Sequence, residues 1–243
     1  MTLHSPSPRL LAVFALVLSA LTLCLSAAET PVKPGKGGKG KGGGGNPGRW
    51  EETIKKFESI DASTPPPKGA VLLVGGSNAR RWTDVATYFP EHQVINRGFG
   101  GAQLTDVQHY ATRIVLPYAP KTILLNAGGN DLAAGKSPEQ IRDTARALIT
   151  QIHSTLPDTR IFCIGLPPVR RSSSSPEVLA AIQKMNGLMA ELARSEKNTE
   201  FIDLFPAFLD EKGQPKTDFF VEDGTHFSPK GYAAVRDLLK GKF

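Results

Sequence analysis

Two short stretches far apart in the chain carry side chains able to act together. One is Gly75-Gly76-Ser77, which ends the apolar run Val71-Leu72-Leu73-Val74; the other is Asp223-Gly224-Thr225-His226. A serine hydroxyl is a poor nucleophile at neutral pH and needs a base to take its proton. Imidazole suits that task because its pKa lies near the working pH. A carboxylate on the second ring nitrogen fixes the tautomer and stabilises the imidazolium that forms. Asp223 and His226 share one turn, so both can reach a common imidazole plane without a second loop. An attacked carbonyl becomes an oxyanion, which needs donors arranged in advance. The candidates are the Ser77 and Gly101 backbone N–H groups and the Asn130 side-chain amide. Taken alone, Gly75-Gly76-Ser77 also reads as a plain turn in which Ser77 caps the next helix; the Asp223/His226 pair is what turns the reading toward acyl transfer.

These residues have to be held by an alternation of strands and helices. Apolar runs predict strands at Val71–Val74, Gln93–Arg97, Thr122–Asn126, Arg160–Gly165 and Phe201–Leu204. Between and around them, helices are expected at Trp50–Phe57, around Trp82 and Val85, and over Leu104–Leu116. A further helix starts at Ser137-Pro138, where a capping serine, a first-position proline and Gln140 form a capping box. Its buried face is Ile141, Ala145, Leu148, Ile149, Ile152 and Leu156, at helical spacing. A capped helix with the apolar face Val178, Ile182, Met185, Met189 and Leu192 follows, and Ser228-Pro229 starts the last one. The fold class is therefore α/β, with a parallel sheet covered on both faces. Ligands in such sheets bind outside the carboxyl ends of the strands. The turns at Ser77, Gly101 and Asn130, together with the loop bearing Asp223 and His226, can all meet there.

The flanking segments are of another kind. Residues 1–28 read as a secretory signal, with Arg9, a long apolar stretch and small residues at Ser26-Ala27-Ala28, so a secreted or periplasmic protein is expected. A retained membrane anchor is the alternative. Residues 29–49 form a Gly/Lys-rich arm with little apolar surface to bury, expected to be extended and unstructured. It serves either as a solvated tether or as a basic arm making weak contact with an anionic cell-envelope polymer. The folded domain is expected over residues 50–243. The formal charge of +6 belongs mostly to the arm: from Trp50 onward there are 23 basic against 22 acidic residues, and nothing argues for nucleic-acid binding. The two cysteines, Cys24 and Cys163, offer no zinc-type spacing. Neither a metal nor a cofactor is expected.

Gly75-Gly76-Ser77, Asn96-Arg97-Gly98-Phe99-Gly100-Gly101, Gly128-Gly129-Asn130-Asp131 and Asp223-Gly224-Thr225-His226 resemble, in order and interval, the four sequence blocks of the SGNH hydrolases, or GDSL-type esterases. The resemblance spans about residues 70–243, in a branch similar to platelet-activating-factor acetylhydrolase-like and carbohydrate esterases. It implies a flavodoxin-like three-layer α/β/α sandwich around a five-stranded parallel sheet. It also implies Ser77 as nucleophile, His226 as base, Asp223 as its orienting partner, and Ser77, Gly101 and Asn130 as oxyanion donors. Gly101 is chosen within its block because the donor glycine follows the asparagine by five positions. One departure stands out: Gly76 occupies the place of the aspartate in the common Gly-Asp-Ser. The implied activity is hydrolysis of carboxylic esters through an acyl-enzyme, with short acetyl esters on a small molecule or polysaccharide preferred because no long apolar lid is evident. A lipid esterase or thioesterase is the alternative, and a wall- or carbohydrate-binding module without catalysis is the reading from another class. Of the remaining candidates, His92, His109 and His153 read as surface histidines and Asp131 as a capping or salt-bridged residue. Arg97, Arg170 and Arg171 read as solvated, with contact to an anionic substrate as the alternative. Phe99 packs either beside the pocket or in the core.

Overall fold

Five short apolar runs form the strands of one all-parallel sheet: β1 (Val71–Gly75), β2 (Val94–Gly98), β3 (Thr122–Asn126), β4 (Arg160–Ile164) and β5 (Thr199–Ile202), in the order β2-β1-β3-β4-β5. The structure is a computed structural model that describes residues 46–169 and 175–243. The expected signal segment, the arm as far as residue 45, and Arg170 and Arg171 lie outside the described residues. The helices are α1 (Glu51–Ser63), α2 (Ser77–Arg81), α3 (Val85–Tyr88), α4 (Leu104–Ile114), α5 (Gly129–Ala133), α6 (Pro138–Thr155), α7 (Pro176–Ser195) and α8 (Pro229–Leu239).

Alternation along each strand sends successive side chains to opposite faces, and two cores result. Leu72, Val74, Ile123, Leu125, Ile161 and Cys163 pack with α1, α4, α6 and α7. Val71, Leu73, Leu124, Phe162 and Ile164 pack with Trp82, Val85 and the α8 residues Tyr232, Val235 and Leu239. The molecule is thus a flavodoxin-like α/β/α sandwich. Side chains such as Leu72, Leu73 and Leu124 are wholly inaccessible, and burial of each stabilises the fold by roughly 1.5–3 kcal/mol.

The register decides where chemistry can happen. Gly75 at the end of β1 lies level with Gly98 on β2 and Asn126 on β3. The turns that follow these strands therefore open side by side at one sheet edge. Between β1 and β3 the strand order reverses, and successive crossovers leave on opposite faces, which makes a crevice.

α6 follows its sequence signals closely: Ser137 accepts from the Gln140 N–H, the Gln140 side chain accepts from the Ser137 N–H, and Ile141, Ala145, Leu148, Ile149 and Ile152 are buried. Other elements depart from expectation. Among the described residues, helical structure begins with a 3-10 turn at Pro47–Trp50, and α1 continues past Phe57 to Ser63. The helix expected around Trp82 and Val85 is two short ones, with buried Trp82 at the break. β5 lies two residues before its expected place, because this edge strand joins the ladder through its backbone while Thr199 and Glu200 stay half-buried. Val178 does not share the apolar face of α7: it is exposed in the first turn. Ser175 does not cap that helix through its hydroxyl either, which donates to the Glu177 carboxylate instead.

Candidate active site

Ser77 is the first residue of α2, immediately after β1, so its hydroxyl stands at the carboxyl edge of the sheet. The Ser77 Oγ lies 2.9 Å from His226 Nε2, and His226 Nδ1 lies 2.6 Å from Asp223 Oδ2. The other Asp223 oxygen accepts from the Thr225 and His226 backbone N–H groups, each at 2.9 Å. The carboxylate is thereby locked, with its free oxygen facing the imidazole. These bonds, led by the His226 backbone N–H and then the ring, hold the Asp223 carboxyl well below the usual carboxylate range. Asp223 is thus ionised wherever the imidazole is able to act as a base.

The loop bearing these two residues is tied to α2 by a residue the sequence reading passed over. The Asn78 side-chain oxygen accepts from the Phe227 N–H at 3.1 Å, and its backbone oxygen accepts from the Tyr232 hydroxyl at 2.9 Å. Val221 N–H also donates to the His226 carbonyl, and Phe220 pairs with Phe227 in an antiparallel bridge. Asn78 is adjacent to Ser77, so these contacts set the distance between hydroxyl and imidazole directly. The only sequence signal for this role is a polar residue beside the nucleophile.

The three expected oxyanion donors, Ser77, Gly101 and Asn130, line one cavity of about 540 Å³ together with His226. Gly101 has φ +82°, a conformation that suits glycine. Among the described residues, neither the Ser77 nor the Gly101 backbone N–H donates to any other group. Asn130 is in the first turn of α5, and its Nδ2 donates one hydrogen to the Ala102 carbonyl at 2.9 Å. An amide carries two such hydrogens, so the second remains for the cavity. Gly76 allows this placement: a Cβ there would lie 2.8 Å from Asn130 Nδ2. Asn96, the first residue of the second block, donates to the Ala79 and Trp82 carbonyls and accepts from the Gly98 N–H, fixing the end of α2 on β2.

Several secondary candidates have structural surroundings. Arg97 is buried, not solvated as expected: its guanidinium is paired with Asp61, bonded to the Tyr118 hydroxyl and the Asn96 carbonyl, and faces the Phe57 and Tyr118 rings. It holds α1 to the sheet and is unavailable to a substrate. Asp131 is inaccessible, accepts from the Leu104 N–H at 3.0 Å and pairs with Lys136 at 2.8 Å. Burial pushes its carboxyl up despite those partners. Phe99 belongs to the core. His109 is exposed, His92 meets the Phe243 ring at a tilt, and His153 Nε2 meets the Thr159 carbonyl at 3.0 Å; none of the three lines the cavity. Among the described residues no group of three or more His, Cys, Asp or Glu side chains converges on a metal-sized site.

The cavity walls were invisible in the sequence. Trp50 and Thr53, from the start of the folded region, form one side, and Arg80 and Arg81 another. Trp50 meets Phe99 edge to face and lies against the Gly101 turn. Arg49 donates to the Gly101 carbonyl and pairs with Asp106, which itself caps the Gln103 N–H of α4.

Comparison with known proteins agrees with this architecture. The family model for the GDSL-like lipase/acylhydrolase family matches residues 61–234. No curated protein gives a significant match. Among solved structures, a Streptococcus pneumoniae protein described as a candidate platelet activating factor is 24% identical, with a TM-score of 0.70 over 79% of this chain and 91% of that one. A GDSL-like lipase from Bacteroides thetaiotaomicron is 18% identical, with a TM-score of 0.64 over 78% and 96% of the two chains. An acetyl-xylooligosaccharide esterase from Geobacillus stearothermophilus (a mutant form) is 14% identical, with a TM-score of 0.57 over 71% and 93%.

Proposed function

The chain belongs to the GDSL-like lipase/acylhydrolase family of serine ester hydrolases, and from that premise we propose that it cleaves short acyl, chiefly acetyl, esters on carbohydrates, with Ser77 as nucleophile. The observation that carries the mechanism is the continuous hydrogen-bond chain from Ser77 Oγ through His226 to Asp223. His226 takes the Ser77 proton as Oγ attacks the ester carbonyl, and Asp223 stabilises the resulting imidazolium. The carbonyl oxygen becomes an oxyanion facing the Ser77 and Gly101 N–H groups and the second Asn130 hydrogen. Collapse breaks the bond to the alcohol, which leaves with the proton from His226. Water then surrenders a proton to the same imidazole, attacks the acyl-enzyme and releases the acid, returning the proton to Ser77 Oγ. Positioning and oxyanion stabilisation supply most of the rate in such a design.

The acetyl preference is supported by the cavity wall. Arg80, Arg81, Thr53 and Asn130 are polar, and Trp50 is the one large apolar side chain among its described lining residues. A long acyl chain would find a single large apolar side chain to lie against there. The acetyl-xylooligosaccharide specificity of a protein with the same fold points the same way. We further infer export from the cytoplasm, with the Gly/Lys-rich arm as tether, on the pattern of residues 1–49; the N-terminal sequence of secreted material tests it, and a start at Met1 would refute cleavage.

Ser77→Ala is expected to abolish turnover of p-nitrophenyl acetate with an unchanged circular dichroism spectrum; retained turnover would refute the assignment. A fluorophosphonate probe should label the wild type and not this variant. A series from acetyl to palmitoyl esters should show its maximum rate at the short end.

A further inference from the structure

We propose that the cavity beside Ser77 selects esters whose alcohol portion carries an anionic group, held by Arg80 with Arg81 beside it. The inference rests on the acetyl-ester reading above and narrows its substrate, since an acetyl group itself has no place for a charge.

Arg80 and Arg81 follow Ser77 by three and four residues on the same helix, which puts them on the serine's side of α2. Both line the cavity together with Ser77 and His226. The Arg80 side chain lies across the turn that ends at Gly101: a Cβ at Gly100 would come within 2.6 Å of its Nε and 3.3 Å of its Cζ. The lack of a side chain at Gly100 is therefore what lets a guanidinium rest next to the expected oxyanion donors.

Among the described residues, the Arg80 charge is not balanced by a carboxylate: its guanidinium has none within 4.0 Å and donates no hydrogen bond. Arg81 approaches Asp223 at 4.0 Å, but that carboxylate is already committed to Thr225 and His226. Among the described residues, no acidic one lines the cavity. The other arginines nearby differ: Arg97 is paired with Asp61, Arg49 with Asp106 and Arg113 with Glu51 and Glu58.

Both arginines are exposed at the cavity rim, where they present positive charge to an incoming ligand. A guanidinium also matches carboxylate or phosphate oxygens with two parallel hydrogen bonds. A neutral ester leaves that capacity to water, so affinity should divide substrates by charge. A uronate carboxylate and a sugar phosphate share the required chemistry, and the test separates them.

The full-length Ser77→Ala variant allows binding of intact esters to be read without turnover. Its affinity is measured by calorimetry at low salt for acetylated methyl glucoside, methyl glucuronoside and methyl glucoside 6-phosphate. At least one anionic ester is expected to bind roughly ten- to a hundredfold more tightly than the neutral one, the range for a hydrogen bond to a charged group. Whichever of the two binds more tightly identifies the anion. Adding Arg80→Gln should bring the ratio close to unity, and raising the salt should shrink it. Equal affinity for all three esters, no measurable binding of either anionic ester, or a ratio unaffected by Arg80→Gln would overturn the proposal. Wild-type turnover of p-nitrophenyl acetate is measured in parallel. Turnover without charge preference overturns the anion assignment alone, whereas absent turnover refutes the Ser77 mechanism and leaves the affinities readable.

Discussion

Gly76→Ala isolates the link between the first sequence block and the Asn130 amide. Gly76 has φ −84°, so alanine meets no left-handed strain there. Its new Cβ would nevertheless stand 2.8 Å from Asn130 Nδ2, and an ordinary contact begins at 3.4 Å, so the amide must retreat by roughly 0.6 Å. The amide is not free to swing away at no cost, because the same nitrogen donates to the Ala102 carbonyl. Complete loss of one oxyanion donor costs about 2.7–4 kcal/mol, or 10²- to 10³-fold in kcat. A displacement of this size should remove part of that, lowering kcat by about ten- to a hundredfold, with Asn130→Ala as the upper bound. Stability should move by no more than about 1 kcal/mol, a few degrees in Tm for a domain of this size. The assay is p-nitrophenyl acetate turnover beside thermal unfolding, for both single variants and the double. Since both substitutions act on one donor, Gly76→Ala/Asn130→Ala should be no slower than Asn130→Ala alone. Wild-type kcat in Gly76→Ala, or losses that multiply in the double variant, would refute the reasoning.

Three further perturbations read other parts of the structure. Asp223→Asn keeps an acceptor for the Thr225 and His226 backbone N–H groups but turns an amide toward His226 Nδ1. It should lower kcat by about 10³- to 10⁴-fold through the wrong tautomer, with folding intact; a kcat near the wild type would remove Asp223 from its role. Trp50→Ala empties a cavity wall and the contact with Phe99, so KM should rise while unfolding measurements show a loss of about 2 kcal/mol, less than for a fully buried tryptophan. The α1–α4 contact should respond to pH. Arg113 holds the Glu51 and Glu58 carboxyls below their ordinary value of 4.5. Depressed carboxylate pKa values stabilise the fold above the unfolded-state value, and the contribution is lost as pH falls through the folded-state values. The Tm difference between wild type and Arg113→Gln should therefore be complete at neutral pH and shrink below about pH 4; a difference that grows on acidification would contradict the ion-pair account.

Much of the fold was legible because its signals are local. The Ser137/Gln140 capping box and the Thr122–Asn126 strand fall where the residues place them, since a cap or an apolar strand is specified within a few neighbouring positions. β5 and Val178 went astray where a backbone ladder or a helix end overrode the side-chain pattern. Residue chemistry suggested Ser77, Asp223 and His226 as a nucleophile, a base and its partner, and the resemblance of four short blocks to the SGNH hydrolases singled out Gly101 and Asn130 as the expected oxyanion donors. Neither could set the distance between Ser77 and His226, which are 149 positions apart. That distance depends on the level ends of β1, β2 and β3 and on Asn78 gripping the distant loop. The same holds for Arg97, whose burial beside Asp61 follows from how α1 seats, and for Trp50, Arg80 and Arg81, whose common cavity exists only once the sheet is assembled. Sequence determined the kinds of chemistry available, because a side chain's reactivity is its own. Tertiary packing decided which groups meet and what surrounds them, because contact and solvation belong to the assembled chain.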